Sequence, residues 1–520
     1  MTHQRSTHPP PVTTPPPRCR LLDLVREIAG ATVLAPRAGW EELVVTGVHH
    51  DSRAVEAGDV FVAREGGRVN GLAFVDEAVR RGACAVVARR AAISGPISVP
   101  IVEVDDVPVA LAFAAAAVYG HPTFGLDVVG VTGTNGKTTT TLLCRAMIDH
   151  TGGRCGVIGT LGSEFEDMVR PTVHTSPEAD ELARIARAMR DRGATHLAME
   201  VSSIALTARR ADAVRFRVAA FSNLTQDHLD FHGTMEAYAD AKARLFTELS
   251  PSSSAINVRD AFGRQLVQRL GREAHAVTFS SAADIGSPDV HPTALTMHER
   301  GISMTVRTPL GDVTVDSPLI GAHNVENLLC AVAIGVCLGL EPKGIGDGLS
   351  QNVRVPGRLE RCDDPDVDDV VVLVDYAHTP DALERVLQSV RPFAKGRLVC
   401  LFGCGGDRDP MKRPLMGRAA GDNADFSYVT NDNPRSEDPA AIASQIVPGL
   451  AHRAGAWVVE LDRRAAIRRA VSEAAPGDVV VVAGKGHETY QIIGAQTFSF
   501  DDREVAKEAL AARREKGGAQ

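Results

Sequence analysis

Three features of this sequence predict an α/β protein of three domains. The first is a length of 520 residues, beyond the size at which one core keeps growing. The second is the run TGTNGKTTT at residues 132–140, directly after an apolar strand. The third is a set of four apolar runs near the C-terminus, each ending in a polar motif that bears glycine or proline. Residues 1–17 carry two proline triplets and read as a disordered, extended tail. Residues 18–124 hold short apolar strands and Ala/Val-rich helices, as in a small α/β domain. His121-Pro122 closes that domain, because proline biases the preceding residue away from helix. Residues 125–355 contain the Gly-rich run, and Pro356-Gly357 then supplies a turn between a helical stretch and new strands. In residues 356–520, the run 370–374 leads into DYAHTPD, 398–402 into GCGGDRD, 427–430 into NDNPRSEDP and 479–483 into GKGHE. Continuous Val-rich runs alternating with helical segments predict a parallel sheet covered on both faces. Ligands bind such sheets beyond the carboxyl ends of the strands, so one site collects all four loops.

Composition removes several classes of function. A net charge of −9 and a pI near 6.0 give no overall basic footprint, which argues against nucleic acid as the principal partner. No apolar run approaches the ~20 residues a membrane helix needs. The tail lacks the apolar segment of a signal peptide, so a cytoplasmic location is expected. Among nine cysteines, Cys400 and Cys404 are the closest pair, but no second pair of cysteines or histidines completes a zinc pattern. Reduced, mostly buried thiols are the expectation.

The chemistry starts at the Gly-rich run. A buried strand emptying into Gly133, Thr134, Asn135 and Gly136, with a helix starting at Lys137, Thr138 and Thr139, gathers backbone N–H groups and an ammonium around one point. Proteins hold a triphosphate in this way, so ATP is the expected ligand. The standard motif has a glycine five residues before Gly136, where this chain has Val131, with Gly130 and Gly133 on either side. Lys137 is expected to reach the β- and γ-phosphates, and the Thr138 hydroxyl to contact Mg²⁺. A strand over 197–201 ends at Glu200, and one over 218–222 leads into NLTQDHLDFHG. A carboxylate and an imidazole at adjacent strand ends can share a cation with phosphate oxygens, the use expected of Glu200 and His228. His232 reads as a packing or hydrogen-bonding residue.

The strings TGTNGKTTT, EVSS, SNLTQDHLDFHG, YADAK, GAHNVEN, PGRLE, DYAHTPD, GCGGDRD, DNPR and GKGHE occur in this order. The set resembles the Mur ligases, in the branch that adds the third amino acid of the peptidoglycan stem, from residue 18 to the C-terminus. The resemblance implies a uridine-nucleotide-binding domain at 18–124, a P-loop-type ATPase domain at 125–355 and a Rossmann-like, amino-acid-binding domain at 356–520. It also implies a reaction: ATP and Mg²⁺ drive the joining of UDP-N-acetylmuramoyl-L-alanyl-D-glutamate to a diamino acid through an acyl phosphate. A monomer is expected.

Site residues carry over by position. Lys137, Glu200, His228 and Lys242 are the implied catalytic set. Lys242 alone reads as a solvated helix lysine; the resemblance makes it an N6-carboxylysine, an anion that joins Thr138, Glu200 and His228 at Mg²⁺. Asn324 and Asn327, three apart on a helix, match the adenine side, and Arg358 and Asp375 the ribose and phosphate contacts. Ser52 and the turn Gly67, Arg68, Val69 correspond to the uridine-nucleotide site; Thr175, Ser176, Ser202 and Arg210 match positions holding the muramoyl peptide. Arg435, in a loop with Asp432, Asn433 and Pro434, has the planar fork suited to a carboxylate, which favours diaminopimelate over lysine. Arg408, Gly484 and Glu488 match its remaining contacts. Ile204 stands where the family has histidine in EVSSHAL, Asn70 and Leu72 where it has Asp and His, and Met411 departs in the GGDRD loop. Those changes leave open a paralogue with another acceptor or a non-catalytic nucleotide-binding regulator. A folylpolyglutamate synthetase would share the ATPase core but lack the uridine-type first domain and DNPR.

Overall fold

The computed structural model describes residues 18–34, 38–65, 70–95, 97–172, 174–271, 275–282, 284–285, 287–298, 300–351, 353–453 and 455–517. The expected tail at 1–17 and the turn Gly67, Arg68 and Val69 lie outside them. Packing divides the chain into two compact units. The first spans 1–293 with 306–313 and 326–349, and the second 294–305, 314–325 and 350–520. No helix among the described residues is long and apolar enough to cross a membrane.

The first unit holds two main sheets, beside a two-stranded pairing of Cys19–Arg20 with Val44–Val45. The smaller has strands β1 (Thr32–Leu34), β2 (Gly47–His49), β3 (Asp59–Val62), β4 (Ala85–Arg89) and β5 (Ile101–Val104) in the order β1-β5-β4-β3-β2. Only β1 runs antiparallel to its neighbour. Its Val-rich interior packs on helix α1 (Val107–Val118), which starts where the Asp106 carboxylate accepts from Val109 N–H.

The larger sheet has β6 (Asp127–Thr132), β7 (Cys155–Gly159), β8 (Gly162–Phe165), β9 (Met168–Arg170), β10 (His196–Glu200), β11 (Phe216–Phe221), β12 (Ser253–Asn257) and β13 (Ala276–Phe279). Their order is β9-β8-β7-β10-β6-β11-β12-β13, with β7, β10, β6, β11, β12 and β13 parallel. The carboxyl ends of β7, β10, β6 and β11 therefore share one edge. Strand β6 lies between β10 and β11, so Glu200 and the segment leading to His228 do not end adjacent strands as expected; they flank the strand that feeds the Gly-rich loop. Sequence order does not fix strand order in a parallel sheet. Helix α2 (Lys137–His150) follows β6, and α3 (Ala179–Asp191) and α4 (Met235–Thr247) pack against this unit's core.

The second unit is built on β14 (Glu360–Arg361), β15 (Val371–Asp375), β16 (Leu398–Phe402), β17 (Phe426–Val429), β18 (Trp457–Val459) and β19 (Val479–Ala483). The order is β14-β15-β19-β16-β17-β18. Every pair is parallel except β14 with β15, an edge pairing that the Val-rich runs did not reveal. Apolar clusters cover both faces, one centred on Leu373, Leu387 and Phe402 and the other on Val480, Ile467 and Val505. The four predicted strands thus form β15, β16, β17 and β19, and their loops leave from one edge.

Candidate active site

In the first unit, the turn after β6 is clamped from the end of β11. Asn223 O accepts from Thr134 N–H at 2.8 Å, and Asn223 Oδ1 from Asn135 N–H at 2.9 Å. Ser222 Oγ donates to Asn135 O at 2.6 Å. Gly133 has φ +146°, and a Cβ there would stand 2.0 Å from Ser222 Oγ. Gly136 has φ +86°, and a Cβ there would stand 2.2 Å from Asn327 Oδ1. Both positions need glycine for conformation and for space. Val131, at the place of the missing motif glycine, is fully buried in β6 and packs as a strand residue. Asn327 is thus brought to the loop; Asn324 Nδ2 donates to Ile320 O at 2.8 Å.

Two ammonium groups converge on one carbonyl of this turn. Lys137 Nζ donates to Gly133 O at 3.0 Å and Thr134 O at 2.9 Å, and Lys242 Nζ donates to Gly133 O at 2.8 Å. Lys242 is 1% exposed on α4, with Nζ 4.4 Å from the Tyr238 ring centroid, so its reading as a solvated lysine is overturned. Burial first, then the charge of Lys137, hold the Lys242 ammonium well below the usual lysine value. The Tyr238 hydroxyl pairs with Thr134 Oγ at 3.1 Å, and its ring lies 6.2 Å from that of His228. His228 sits in a left-handed turn (φ +52°) with Nε2 3.6 Å from Asp227. His232 hydrogen-bonds Ser203 at 2.9 Å, as its reading required. His232 thus brings an imidazole to Ser203, the residue before Ile204, from another segment.

Glu200 is 1% exposed. Its Oε1 accepts from Thr138 Oγ at 2.9 Å and from Thr160 N–H at 2.8 Å, and Oε2 from Thr160 Oγ at 3.1 Å. Thr160 Oγ also meets Thr175 Oγ at 3.1 Å. Next to it, Ser176 Oγ donates to Glu200 O at 2.8 Å and accepts from Ser202 N–H at 3.0 Å. Arg210 Nη1 donates to Ser176 O at 3.1 Å and Nη2 pairs with Glu178 at 2.6 Å, while Arg64 pairs with the other oxygen of Glu178. Thr175, Ser176, Ser202, Arg210 and Glu200 thus form one continuous network. Ser52 lies apart from it, donating to Glu77 at 3.1 Å, and Asn70 caps a short turn through Leu72 N–H. His50 joins the two sheets: its Nδ1 lies 2.9 Å from Asp180. Burial alone would depress that imidazole, but the bond to Asp180 and the charges of Asp180 and Glu178 outweigh it, and its pKa is raised.

In the second unit, the loops after β16 and β17 are knitted together. Glu437 accepts from Arg413 Nη1 and Nη2 at 2.9 and 2.8 Å and from Asp407 N–H at 2.6 Å. Gly406 N–H donates to Asn433 O at 2.9 Å. This brings Arg408 and Arg435 together: a Cβ on Gly405 would lie 2.9 Å from Arg435 Nη1 and 3.7 Å from Arg408 Cγ. Arg435 donates to Gly406 O at 2.8 Å and Arg408 to Asp407 O at 3.2 Å. Neither guanidinium pairs with a carboxylate among the described residues. Asn433 Nδ2 donates to Glu488 Oε2 at 2.9 Å, and Asp432 lies against Gly484, where a Cβ would be 2.6 Å from Oδ2. Pro434 O approaches Gly406, and Met411 is exposed. The fully buried Arg463–Asp502 pair lies beneath, with the guanidinium donating to Asn431 O at 3.1 Å and Ala483 O at 2.9 Å, the ends of two loop-bearing segments. Asp375 accepts from Leu359 and Ala377 N–H at 2.7 and 2.8 Å, and Arg358 stacks 4.9 Å from the Tyr376 ring centroid. All nine cysteines are free thiols.

Sequence reasoning passed over Thr160, Glu178, Arg463 and Lys485. Thr160 had a faint signal, as the first polar residue after a Val/Ile strand; the others act through neighbours that only the strand order supplies.

A phosphate loop backed by a buried carboxylate, in a chain that continues into a second parallel sheet with its own loop cluster, defines a class with known members. Residues 44–119 match the model described as the Mur ligase family catalytic domain, 131–335 the Mur ligase middle domain and 357–486 the Mur ligase glutamate ligase domain. The chain belongs to the Mur ligase family. A protein of Geobacter metallireducens named UDP-N-acetylmuramoyl-L-alanyl-D-glutamate–2,6-diaminopimelate ligase is 44% identical over 526 residues, 96% of this chain and 99% of its own. A solved structure of a ligase of that name superposes with a TM-score of 0.69 at 33% identity, covering 92% of this chain and 97% of its own. A folylpolyglutamate synthase of Mycobacterium tuberculosis covers 71% of this chain and 91% of its own at 19% identity and a TM-score of 0.56, a likeness of fold alone.

Proposed function

We propose that this chain is an ATP-dependent, ADP-forming ligase that adds diaminopimelate to UDP-N-acetylmuramoyl-L-alanyl-D-glutamate in peptidoglycan synthesis, acting in the cytoplasm as a monomer. The 44% identity to ligases of that name supports the reaction. The observation that carries the acceptor is the Arg408–Arg435 pair, two guanidiniums that pair with no carboxylate among the described residues. Diaminopimelate has a second carboxylate for them and lysine does not.

A carboxylate does not condense with an amine near neutral pH, so the γ-phosphoryl group of ATP is first transferred to it, giving an acyl phosphate and ADP, and the amine then attacks the acyl carbon and expels phosphate. Phosphoryl transfer asks the protein mainly for positioning and charge neutralisation. The backbone of residues 133–139 cradles the phosphates and Lys137 turns from its carbonyls to the γ-phosphate. Thr138 Oγ and Glu200 Oε1, in contact at 2.9 Å, offer the hydroxyl and single carboxylate that Mg²⁺ takes alongside phosphates and water. No group of three or more His, Cys, Asp or Glu that could hold a metal ion occurs among the described residues. When bound, Mg²⁺ would neutralise phosphate charge. Burial lowers the pKa of Lys242 and so favours the amine form, which adds CO₂ with loss of a proton; the resulting carbamate would supply an anion at the phosphate loop. His228 completes the catalytic set.

Residues 18–124 would hold the uridine nucleotide through Ser52 and the 67–69 turn, and residues 125–355 the ATP and the muramoyl peptide, the latter through Thr175, Ser176, Ser202 and Arg210. Asn324, Asn327, Arg358 and Asp375 fall to the adenine, ribose and phosphates. Residues 356–520 would hold diaminopimelate through Arg408, Asp432, Asn433, Pro434, Arg435, Gly484 and Glu488. The test is phosphate release from purified protein with ATP, Mg²⁺ and the UDP-muramoyl dipeptide, supplied with diaminopimelate, lysine or no amino acid. Release is expected with diaminopimelate; release indifferent to the acceptor would reject the reading.

A further inference from the structure

Lys485, in the GKGHE loop after β19, is a buried cation to which the reaction above assigns no task. Its side chain is fully buried, and an ammonium removed from water needs compensating partners. Lys485 Nζ donates to Glu488 Oε2 at 3.3 Å and to Asn433 Oδ1 at 3.2 Å, and lies 5.5 Å from the Tyr490 ring centroid. Asn433 closes the ring, since its Nδ2 donates to the same Glu488 oxygen at 2.9 Å and its Oδ1 also accepts from Ile492 N–H at 2.9 Å. Glu488 Oε2 is thus held by two donors, whereas Oε1 has no protein donor among the described residues. Both partners of Lys485 are acceptor residues.

We propose that Lys485 is a specificity-determining positioning residue of the acceptor site, an inference that rests on diaminopimelate being the acceptor. It pins Glu488 Oε2 and so presents Oε1 as the oxygen that receives a substrate ammonium. It also adds a third cation to Arg408 and Arg435, against Asp432 and Glu488, and leaves these five side chains with a surplus of positive charge. Diaminopimelate carries two ammoniums and two carboxylates near neutral pH and enters without net charge. Lysine has two ammoniums and one carboxylate and enters as a cation, which the surplus disfavours.

The test compares Lys485→Met, Glu488→Gln and the double variant with the wild type, using phosphate release with diaminopimelate or lysine. Lys485→Met should raise KM for diaminopimelate by about tenfold to a hundredfold, the range for losing a hydrogen bond to a charged group. KM for ATP should stay within about twofold, and the preference for diaminopimelate over lysine should fall. In the Glu488→Gln background the same change should matter less than about twofold, because residues acting through one another are not additive. Lys485→Gln, which keeps a donor but no charge, should recover part of the KM and none of the discrimination, and it serves if the Met variant does not fold. Unchanged preference, or additive effects of the two substitutions, would overturn the role of Lys485 and leave the ligase reading standing. A wild type without diaminopimelate-dependent release would overturn both.

Discussion

The two loop clusters handle charge in opposite ways. Around the phosphate loop, Lys137 and Lys242 rest on carbonyls of the turn itself, and Glu200 is spanned by two threonines. In the loops after β16 and β17, Arg408 and Arg435 lie side by side and donate to carbonyls. The first cluster sets two cations on carbonyls and its carboxylate on hydroxyls, an arrangement suited to an anionic ligand that arrives with its own cation. The second keeps an imbalance, suited to a ligand that brings carboxylates and nothing to neutralise them. Arg408 is exposed and Arg435 half-buried, so both guanidiniums stay open to an incoming carboxylate.

The contrast breaks most clearly at Lys137. Lys137→Ala should cut kcat/KM about 10²- to 10³-fold, as for other donors aimed at developing charge, with the loss shared equally by every acceptor in the phosphate-release assay. Arg435→Ala should act on one side only, raising KM for diaminopimelate about tenfold to a hundredfold while KM for ATP is unchanged. A shift in both constants would mean that the two clusters are not separable. Thr160→Val removes one hydroxyl from Glu200 and from Thr175, and a loss of about five- to tenfold in kcat is expected from one hydrogen bond; full activity would remove Thr160 from the network.

The smallest effect concerns stability. His50 has a raised pKa, so its pairing stabilises fully below the ordinary histidine value of 6.5 and is lost as pH rises through its folded value. Asp180 has a lowered one: burial opposes this, but the His50 bond prevails, and its contribution is lost as pH falls through its own folded value. His50→Asn should therefore cost ~1 kcal/mol or less at pH 5.5 and less still at pH 8.5, read as urea midpoints. A cost that grows with pH would contradict the pairing.

Much of this was legible in the sequence because strand ends and glycine motifs are local signals. The phosphate loop, the four C-terminal loops and the end of β10 at Glu200 were placed from the chain alone. What failed did so for lack of neighbours. Lys242 reads as solvated until Tyr238 and the Gly133 carbonyl are packed over it. Glu200 and His228 read as ends of adjacent strands because nothing local shows that β6 runs between β10 and β11. Thr160 meets Glu200 and Thr175, and Lys485 meets Asn433, across loops that only the folded sheets bring together.

The Arg463–Asp502 pair separates two things that usually change together. By fastening the carbonyls of Asn431 and Ala483 to one guanidinium, it sets the distance between two acceptor loops from below, without using any side chain that faces the ligand. On the proposed reading, substitutions at 408, 435, 485 or 488 would change which amine is accepted while the scaffold beneath keeps its dimensions.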